Sequence, residues 1–229
     1  MGKVIQYGLQ RTGTNYIEFL IKKNFSNFIS LNNGNTRSLP LHKHFRLYDE
    51  KSFIPSPLYL NNFRYSTFDD FDNHVKKLSG EESFHYLVIT KEPVSWYLSV
   101  CKFAEKNNWK SFHKKQINSQ YLIDYNLFHE KWLAFAKQSE RITIIRYEDF
   151  LTNLDASLDS IKNALQLQKK GTHYSNLDKV PMSKKFNKKK RTFYSDKKYQ
   201  QLFDKNELLI IKSVLDKEVV EGLGYEMIV

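Results

Sequence analysis

The chain has 229 residues, of which 41% are hydrophobic and 15% aromatic, so it can bury a core and does not belong to the disordered class. Its formal net charge of +11 indicates an anionic partner, and no apolar run approaches the roughly 18 residues that a membrane-spanning helix needs. The single cysteine, Cys101, excludes an internal disulfide, and the N-terminus has the pattern of a strand rather than of a secretory signal, so we expect a cytoplasmic protein.

The hydrophobic pattern predicts strands that alternate with helices along the whole chain. The predicted strands are residues 4–7, 28–31, 86–89 and 142–145. The predicted helices are residues 15–23, 67–80, 93–103, 121–137, 154–167 and 207–220. Thr67 and Asp70 resemble a helix start, and Gly80 resembles a helix end. Such alternation is typical of βαβ units, so we expect one α/β domain over residues 1–229, with three layers and a mostly parallel central sheet between helices.

The loop between the first strand and the first helix, residues 8–13, is called the glycine turn below. Gly8 and Gly13 are five residues apart, as in the P-loop that cradles phosphates, and amides at a helix N-terminus bind anions. Thr14 and Asn15 occupy the positions where a nucleotide hydrolase needs Lys and a magnesium-binding Ser or Thr, while a cation, Arg11, lies within the turn. The pattern favours a phosphosulfate without a metal. The alternative is a plain turn in which Gly13 supplies a positive φ.

The run Gln10-Arg11-Thr12-Gly13-Thr14-Asn15 resembles the 5′-phosphosulfate loop of sulfotransferases that use 3′-phosphoadenosine 5′-phosphosulfate (PAPS). That loop commonly reads Pro, then Lys or Arg, Ser or Thr, Gly, Thr and Thr. Gln10 therefore replaces the proline, and Asn15 replaces the second threonine. The resemblance implies that Arg11 takes part in catalysis. It also implies donor binding by Gly8, Gln10, Arg11, Thr12, Gly13, Thr14 and Asn15.

A second motif of this family places an Arg at a strand end and a Ser eight residues later, and the two bind the donor's 3′-phosphate. Lys91 and Ser99 have this spacing after the third predicted strand. Lys keeps the charge of Arg but lacks its bidentate fork. The alternative is a solvent-exposed Lys91 at a strand end and a Ser99 on a helix surface.

Two further segments resemble this family. Tyr147 begins a run similar to the family's Tyr-Glu-Asp-Leu segment, whose tyrosine contacts adenine in some members. Lys190 and Arg191 resemble a late Arg-Lys-Gly turn that closes over the 3′-phosphate, although the glycine is absent. They lie in the basic segment (residues 183–198), which holds eight lysines or arginines against Asp196, a charge of 8 − 1 = +7. Its alternative interpretation is a solvated loop.

Transfer of a sulfuryl group to a hydroxyl needs a base, and many family members use a histidine after the second strand. The candidates here are His42 and His44, of which we favour His44, and a carboxylate such as Glu18 is a further alternative. In an extended chain the two would share one face, and an unperturbed histidine titrates near pH ~6.5. They could instead be two surface histidines. The seven histidines and one cysteine show no metal-ligand spacing, so we expect no metal.

These features predict a PAPS-dependent sulfotransferase that acts on a hydroxyl or an amine of a small molecule or glycan. The positive charge favours a carbohydrate or another anionic acceptor. We expect the acceptor to lie over the glycine turn, bordered by the histidine segment (residues 42–46) and by Trp96, Phe103 and Trp109. One alternative is a P-loop kinase or other phosphotransferase, which Thr14 and Asn15 disfavour. The other is a nucleic-acid-binding protein that uses the basic segment, although we expect no nucleic-acid partner.

Overall fold

The computed structural model describes residues 2–33, 39–47, 65–109, 116–177 and 188–227, with the side chains of 188–190 excepted. Within these ranges, four strands form one all-parallel sheet in the order β2-β1-β3-β4. The strands are β1 (Gly2–Tyr7), β2 (Phe28–Ser30), β3 (His85–Thr90) and β4 (Ile142–Arg146). This arrangement confirms the predicted three-layer α/β fold.

The described residues also form nine α-helices and one 3₁₀ turn at Gln200–Leu202. The helices are α1 (Thr14–Asn24), α2 (Phe68–Ser79), α3 (Pro93–Lys106), α4 (Ser119–Ala136), α5 (Asp149–Thr152), α6 (Leu154–Ala164), α7 (Lys188–Ser195), α8 (Lys205–Val214) and α9 (Lys217–Gly222). In the part of the chain that the structure covers, no helix combines the length and apolar character required to cross a bilayer.

Hydrophobic cores lie on both faces of the sheet, because successive strand side chains point to opposite sides. Val4, Leu87 and Ile89 pack against α1, α5 and α6 on one face. Tyr7 and Val88 pack against α2, α3, α4, α8 and α9 on the other face. Both faces of the sheet are therefore covered, as in other parallel sheets.

Strand register brings three loops to one edge of the sheet. Tyr7 pairs with Val88 near the end of β1, and Ile89 pairs with Ile145 near the end of β4. The loops that follow β1, β3 and β4 therefore lie side by side, at the edge where ligands bind in parallel sheets.

The predicted start of α2 is confirmed in detail. Thr67 Oγ1 accepts a hydrogen bond from the Asp70 N–H, and the Asp70 side chain accepts one from the Thr67 N–H. Gly80 ends the helix with φ 69°. This reciprocal capping box satisfies amides that the first turn of a helix cannot bond internally.

The single helix predicted at residues 207–220 is wrong, because the structure has two helices there, α8 and α9. Leu215 between them has extended backbone (φ −68°, ψ 134°), and Asp216 caps the N-terminus of α9. Asn126 of α4 bonds two backbone groups at the break, donating to the Val214 carbonyl (2.8 Å) and accepting from the Asp216 N–H (3.1 Å). A tertiary contact therefore stabilises a break that the hydrophobic pattern does not show.

The basic segment is not a loop throughout, because residues 188–195 form α7. Lys184 and Lys185 lie outside the described residues. α7 packs near α5, which follows β4, and this places part of the basic segment beside the loops at the carboxyl edge of the sheet.

Candidate functional site

The glycine turn is tightly closed between β1 and α1. A Cβ on Gly8 would lie 2.6 Å from Thr12 Oγ1 and 2.8 Å from the Ile89 carbonyl oxygen, so only glycine fits there. Thr12 closes the turn by donating to the Leu9 carbonyl from both its N–H (3.2 Å) and its hydroxyl (2.8 Å). Gly13 has φ 94° and leaves the first turn of α1 without a capping side chain. Amides at such a helix start are suited to an anion.

Arg11 is held at the surface of the glycine turn in an unusual backbone conformation. Its φ is 74°, in the left-handed region, which costs a non-glycine residue about 1–2 kcal/mol. Its guanidinium lies over the Phe103 ring, 5.0 Å from the centroid. The Trp96 indole N–H donates to the Gln10 carbonyl (2.8 Å), which fixes the adjacent peptide. Backbone strain of this kind concentrates at functional sites.

Lys91 and Ser99, which were paired by their resemblance to the family's second motif, are in contact. Lys91 Nζ donates to Ser99 Oγ at 2.8 Å, and Ser99 Oγ donates to the Ser95 carbonyl at 2.9 Å. Lys91 is only 3% exposed, so the alternative of a solvent-exposed lysine is wrong. Burial lowers the pKa of the Lys91 ammonium, while the nearby Tyr194 and Glu148 oppose that shift.

Tyr147 lies between this pair and the glycine turn. A Cβ on Gly13 would be 2.7 Å from Tyr147 Cε2 and closer still to Cδ2, so the ring packs directly on the turn. Lys91 Nζ lies 5.3 Å from the centroid of the same ring. The Tyr147 N–H donates to the Thr90 carbonyl (2.9 Å), which extends the pairing of β3 with β4. The three predicted motifs therefore meet at one edge of the sheet.

α7 covers the Lys91 side of this site. The Tyr194 ring centroid lies 4.4 Å from Lys91 Nζ and 6.0 Å from the Tyr147 ring, edge to face. Burial raises the pKa of the Tyr16 phenol, and the charge of Arg191 opposes this, which places Arg191 near α1. Lys190 belongs to α7 by its backbone, and its side chain is outside the described residues. Sequence reasoning missed Tyr194, because nothing in the basic segment distinguishes this tyrosine from the neighbouring Phe193.

The histidine segment is not extended. The His42 N–H donates to the Leu39 carbonyl and the Phe45 N–H donates to the His42 carbonyl, both at 2.9 Å, so the chain turns twice. His44 Nδ1 lies 2.6 Å from the Gly8 carbonyl oxygen, which can only accept, so Nδ1 carries the proton. The His44 backbone N–H donates to His42 Nδ1 (3.0 Å), so that nitrogen carries none. The two rings therefore hold opposite tautomers.

Burial lowers the pKa of His44 to about 3, and the charges of Arg46, His42 and Lys43 lower it further, while the hydrogen bond to Gly8 opposes them. The value of an unperturbed histidine does not apply here. His44 is neutral near pH 7, and with Nδ1 protonated its basic nitrogen is Nε2.

Lys43 is a functional candidate that the sequence analysis missed. Its carbonyl accepts from the Gly8 N–H (3.0 Å), and its ammonium donates to Asn15 Oδ1 at the start of α1. The ammonium is also 3.9 Å from Glu18 Oε2. The Lys43 ammonium therefore brings a positive charge to the start of α1, next to Thr14, which occupies the position where a nucleotide hydrolase has lysine. The only signal was its position between two histidines.

Only part of the set expected to border the acceptor lines a cavity beside the glycine turn. The cavity is small, about 10 Å³, and Arg46 is the one residue of the histidine segment that lines it. Trp96, Phe103 and Trp109 face it together with Arg11. The cavity is further lined by Gln10, Arg46, Val100, Tyr121 and Asp124. Among the residues described, no three His, Cys, Asp or Glu side chains come close enough together to hold a metal ion.

Comparison of the chain with protein-family models, with curated proteins and with solved structures found no match. The assignment of a function therefore depends on the geometry of the site and the chemistry of its residues.

Proposed function

We propose that this protein is a PAPS-dependent sulfotransferase that transfers a sulfuryl group to a hydroxyl or amine of a small-molecule or glycan acceptor. The observation that carries the proposal is the contact between Nζ of the buried Lys91 and Oγ of the half-buried Ser99, one tyrosine ring away from the glycine turn. A donor with anionic groups at both its 5′ and 3′ positions needs two such anion-binding sites side by side. A nucleotide phosphorylated only at the 5′ position needs one.

The residues at the edge of the sheet fit the donor in three parts. The glycine turn, with Arg11 and Lys43, suits the 5′-phosphosulfate, because it offers backbone amides and two cations. Lys91 and Ser99 suit the 3′-phosphate. Tyr147 lies between them, where it would contact the adenosine. The donor, when bound, supplies the activated sulfuryl group.

In the proposed reaction a bond forms from the acceptor oxygen or nitrogen to sulfur while the bond from sulfur to the phosphate oxygen breaks. 3′-Phosphoadenosine 5′-phosphate (PAP) leaves, and the acceptor proton passes to a base. Negative charge accumulates on the sulfuryl oxygens and on the departing phosphate, as in loose phosphoryl transfer. Arg11 and Lys43, fixed before the reaction begins, would stabilise that charge.

The tautomers favour His44 over His42 as the base. His44 donates through Nδ1 to Gly8, so its Nε2 has a lone pair for the acceptor proton. His42 already uses Nδ1 to accept from the His44 backbone, so it would have to break that bond to act through this nitrogen. A bound polyanion beside His44 would raise the pKa of its ring and make it a stronger base.

The test is calorimetric titration of the protein with PAP, AMP and magnesium ATP. We expect PAP to bind at least tenfold more tightly than AMP, because a hydrogen bond to a charged group contributes about 1.5–3 kcal/mol. Ser99→Ala should remove most of that difference. The matched control is Ser157→Ala, since Ser157 Oγ donates to the Asn153 carbonyl in α6 as Ser99 does in α3. Equal affinities for PAP and AMP, or tighter binding of magnesium ATP, would contradict the proposal.

A further inference from the structure

A fully buried ion pair connects the histidine segment to α4. Arg46 Nε donates to Asp124 Oδ1 (3.1 Å), and Arg46 Nη2 donates to Asp124 Oδ2 (2.7 Å), in the bidentate geometry that only Arg provides. Each side chain is only 2% exposed. Burying two charges costs several kcal/mol per ion, so a pair of this kind is weak evidence for stability.

The remaining donors of Arg46 bind parts of the proposed active site. Arg46 Nη1 donates to the His44 carbonyl (2.7 Å), and Nη2 also lies 3.1 Å from Gln10 Oε1. The Arg46 guanidinium therefore fixes both the backbone of His44, the proposed base, and the side chain of Gln10 in the glycine turn. The His44 ring in turn donates to the Gly8 carbonyl, which belongs to the same turn.

An apolar pair of similar volume could replace Arg46 and Asp124 with little loss of stability, since such replacements are often neutral or stabilising. It could not hold the His44 carbonyl and the Gln10 amide in one fixed arrangement. The ion pair therefore fixes positions rather than adding stability, because it links His44 and the glycine turn to α4.

We propose that Arg46 and Asp124 are positioning residues that hold His44 and the glycine turn in register for sulfuryl transfer. This inference rests on the proposed function. Arg46 and Asp124 also line the cavity beside the glycine turn, but the proposed role of Arg46 is exerted through the His44 backbone and through Gln10. A displacement of about 1 Å at a reacting group can lower a rate roughly a hundredfold.

The first measurement is the conversion of PAPS to PAP with water as the acceptor, so that no acceptor has to be known. In the double variant Arg46→Met/Asp124→Leu, which leaves no unpaired buried charge, we expect kcat to fall about 10–100-fold. The affinity for PAP should fall by less than kcat does, because neither residue is among those proposed to contact the donor and Arg46 reaches that set only through Gln10. In Arg46→Lys, which keeps the charge but loses the fork, we expect kcat to fall in the same direction.

The second measurement needs no turnover. Histidine labelled with ¹⁵N distinguishes the two tautomers by NMR, and the His44 signals are identified by their loss in His44→Gln. We expect the wild-type protein to show His44 protonated at Nδ1 and Arg46→Lys to show a mixture of tautomers. If the wild-type protein neither binds PAP nor converts PAPS, the proposed function is rejected. The NMR measurement would still test whether Arg46 fixes the orientation of His44.

The matched control is Arg141→Lys. Arg141 Nη2 bonds Asp72 Oδ2 at 2.6 Å, but this pair lies at the amino ends of β3 and β4, opposite the site. The Arg141→Lys variant should lower the free energy of unfolding without changing kcat or the His44 tautomer. The inference is overturned if Arg46→Lys keeps the wild-type kcat, or if kcat falls while the His44 tautomer stays unchanged. If the double variant does not fold, Arg46→Lys decides the question.

Discussion

Gly13 is constrained both by its own backbone and by its neighbour. Its φ of 94° is unfavourable for any residue with a Cβ, and a Cβ there would also collide with the Tyr147 ring. Gly80 provides a comparison, because it has φ 69° with nothing within 4 Å of the position a Cβ would occupy. The two glycines therefore separate the effect of backbone conformation from that of close packing.

We predict that Gly80→Ala lowers the free energy of unfolding by about 1 kcal/mol, which is the effect of the left-handed backbone alone. Gly13→Ala should lower it by about 3 kcal/mol, since the steric clash is added. Urea denaturation measures both values. In a Tyr147→Leu background the effect of Gly13→Ala should fall toward that of Gly80→Ala. An unchanged effect would show that the Tyr147 ring is not the obstacle.

At the scale of elements, α4 connects distant parts of the chain. Its buried face carries Asp124, which pairs with Arg46, and Tyr125, whose hydroxyl donates to the Lys91 carbonyl at 2.8 Å. Asn126 bonds the break between α8 and α9. Three successive residues of one helix thus support the histidine segment, the end of β3 and the C-terminal helices.

We predict that Asn126→Ala lowers the free energy of unfolding by about 1–3 kcal/mol, because it leaves the Val214 carbonyl and the Asp216 N–H without their partner. Denaturant unfolding measures the loss. Asn163→Ala, at an exposed position of α6, controls for the change of residue type and should stay within about 0.5 kcal/mol of the wild type. If Asn126→Ala is equally mild, the break between α8 and α9 does not depend on α4.

At the scale of the whole molecule, buried titratable groups make stability depend on pH in two opposite ways. Burial and the neighbouring Glu148 raise the pKa of Glu92 from 4.5 to about 7, despite its bond to the Ser95 N–H. Its contribution to stability is present below pH 4.5 and is lost as the pH rises through 7. Burial lowers the pKa of His44 and of His129 from 6.5 to about 3. Their contribution is present above pH 6.5 and is lost as the pH falls toward 3.

We predict that Glu92→Gln stabilises the protein at pH 8 relative to the wild type, by on the order of 3 kcal/mol, and has little effect at pH 4.5. The reason is that glutamine mimics the neutral acid, which the folded wild-type protein loses as the pH rises above about 7. Urea unfolding at a series of pH values measures the difference. Glu82→Gln, at an exposed position, controls for the change in net charge. A difference for Glu92→Gln that does not vary with pH would contradict the prediction.

The local sequence was sufficient for the features that depend on neighbours along the chain. Alternation of strands and helices predicted the α/β fold, and Thr67 with Asp70 predicted the start of α2. The resemblance to the family's second motif paired Lys91 with Ser99, eight residues later, and the two are in contact in the structure. Lys91 and Ser99 can meet because Lys91 directly follows β3 and Ser99 lies in the second turn of α3, so local secondary structure brings the two side chains close together.

The sequence by itself determined the order of strands and helices and the three loops that carry the candidate site. Only the tertiary structure decided that Lys43 reaches Asn15, that Arg46 pairs with Asp124 across 78 residues, and that Tyr194 covers Lys91. Residues far apart in sequence meet only after the sheet and its helices pack. The low pKa of His44 has the same origin, because desolvation depends on what surrounds a side chain and not on its neighbours in the chain.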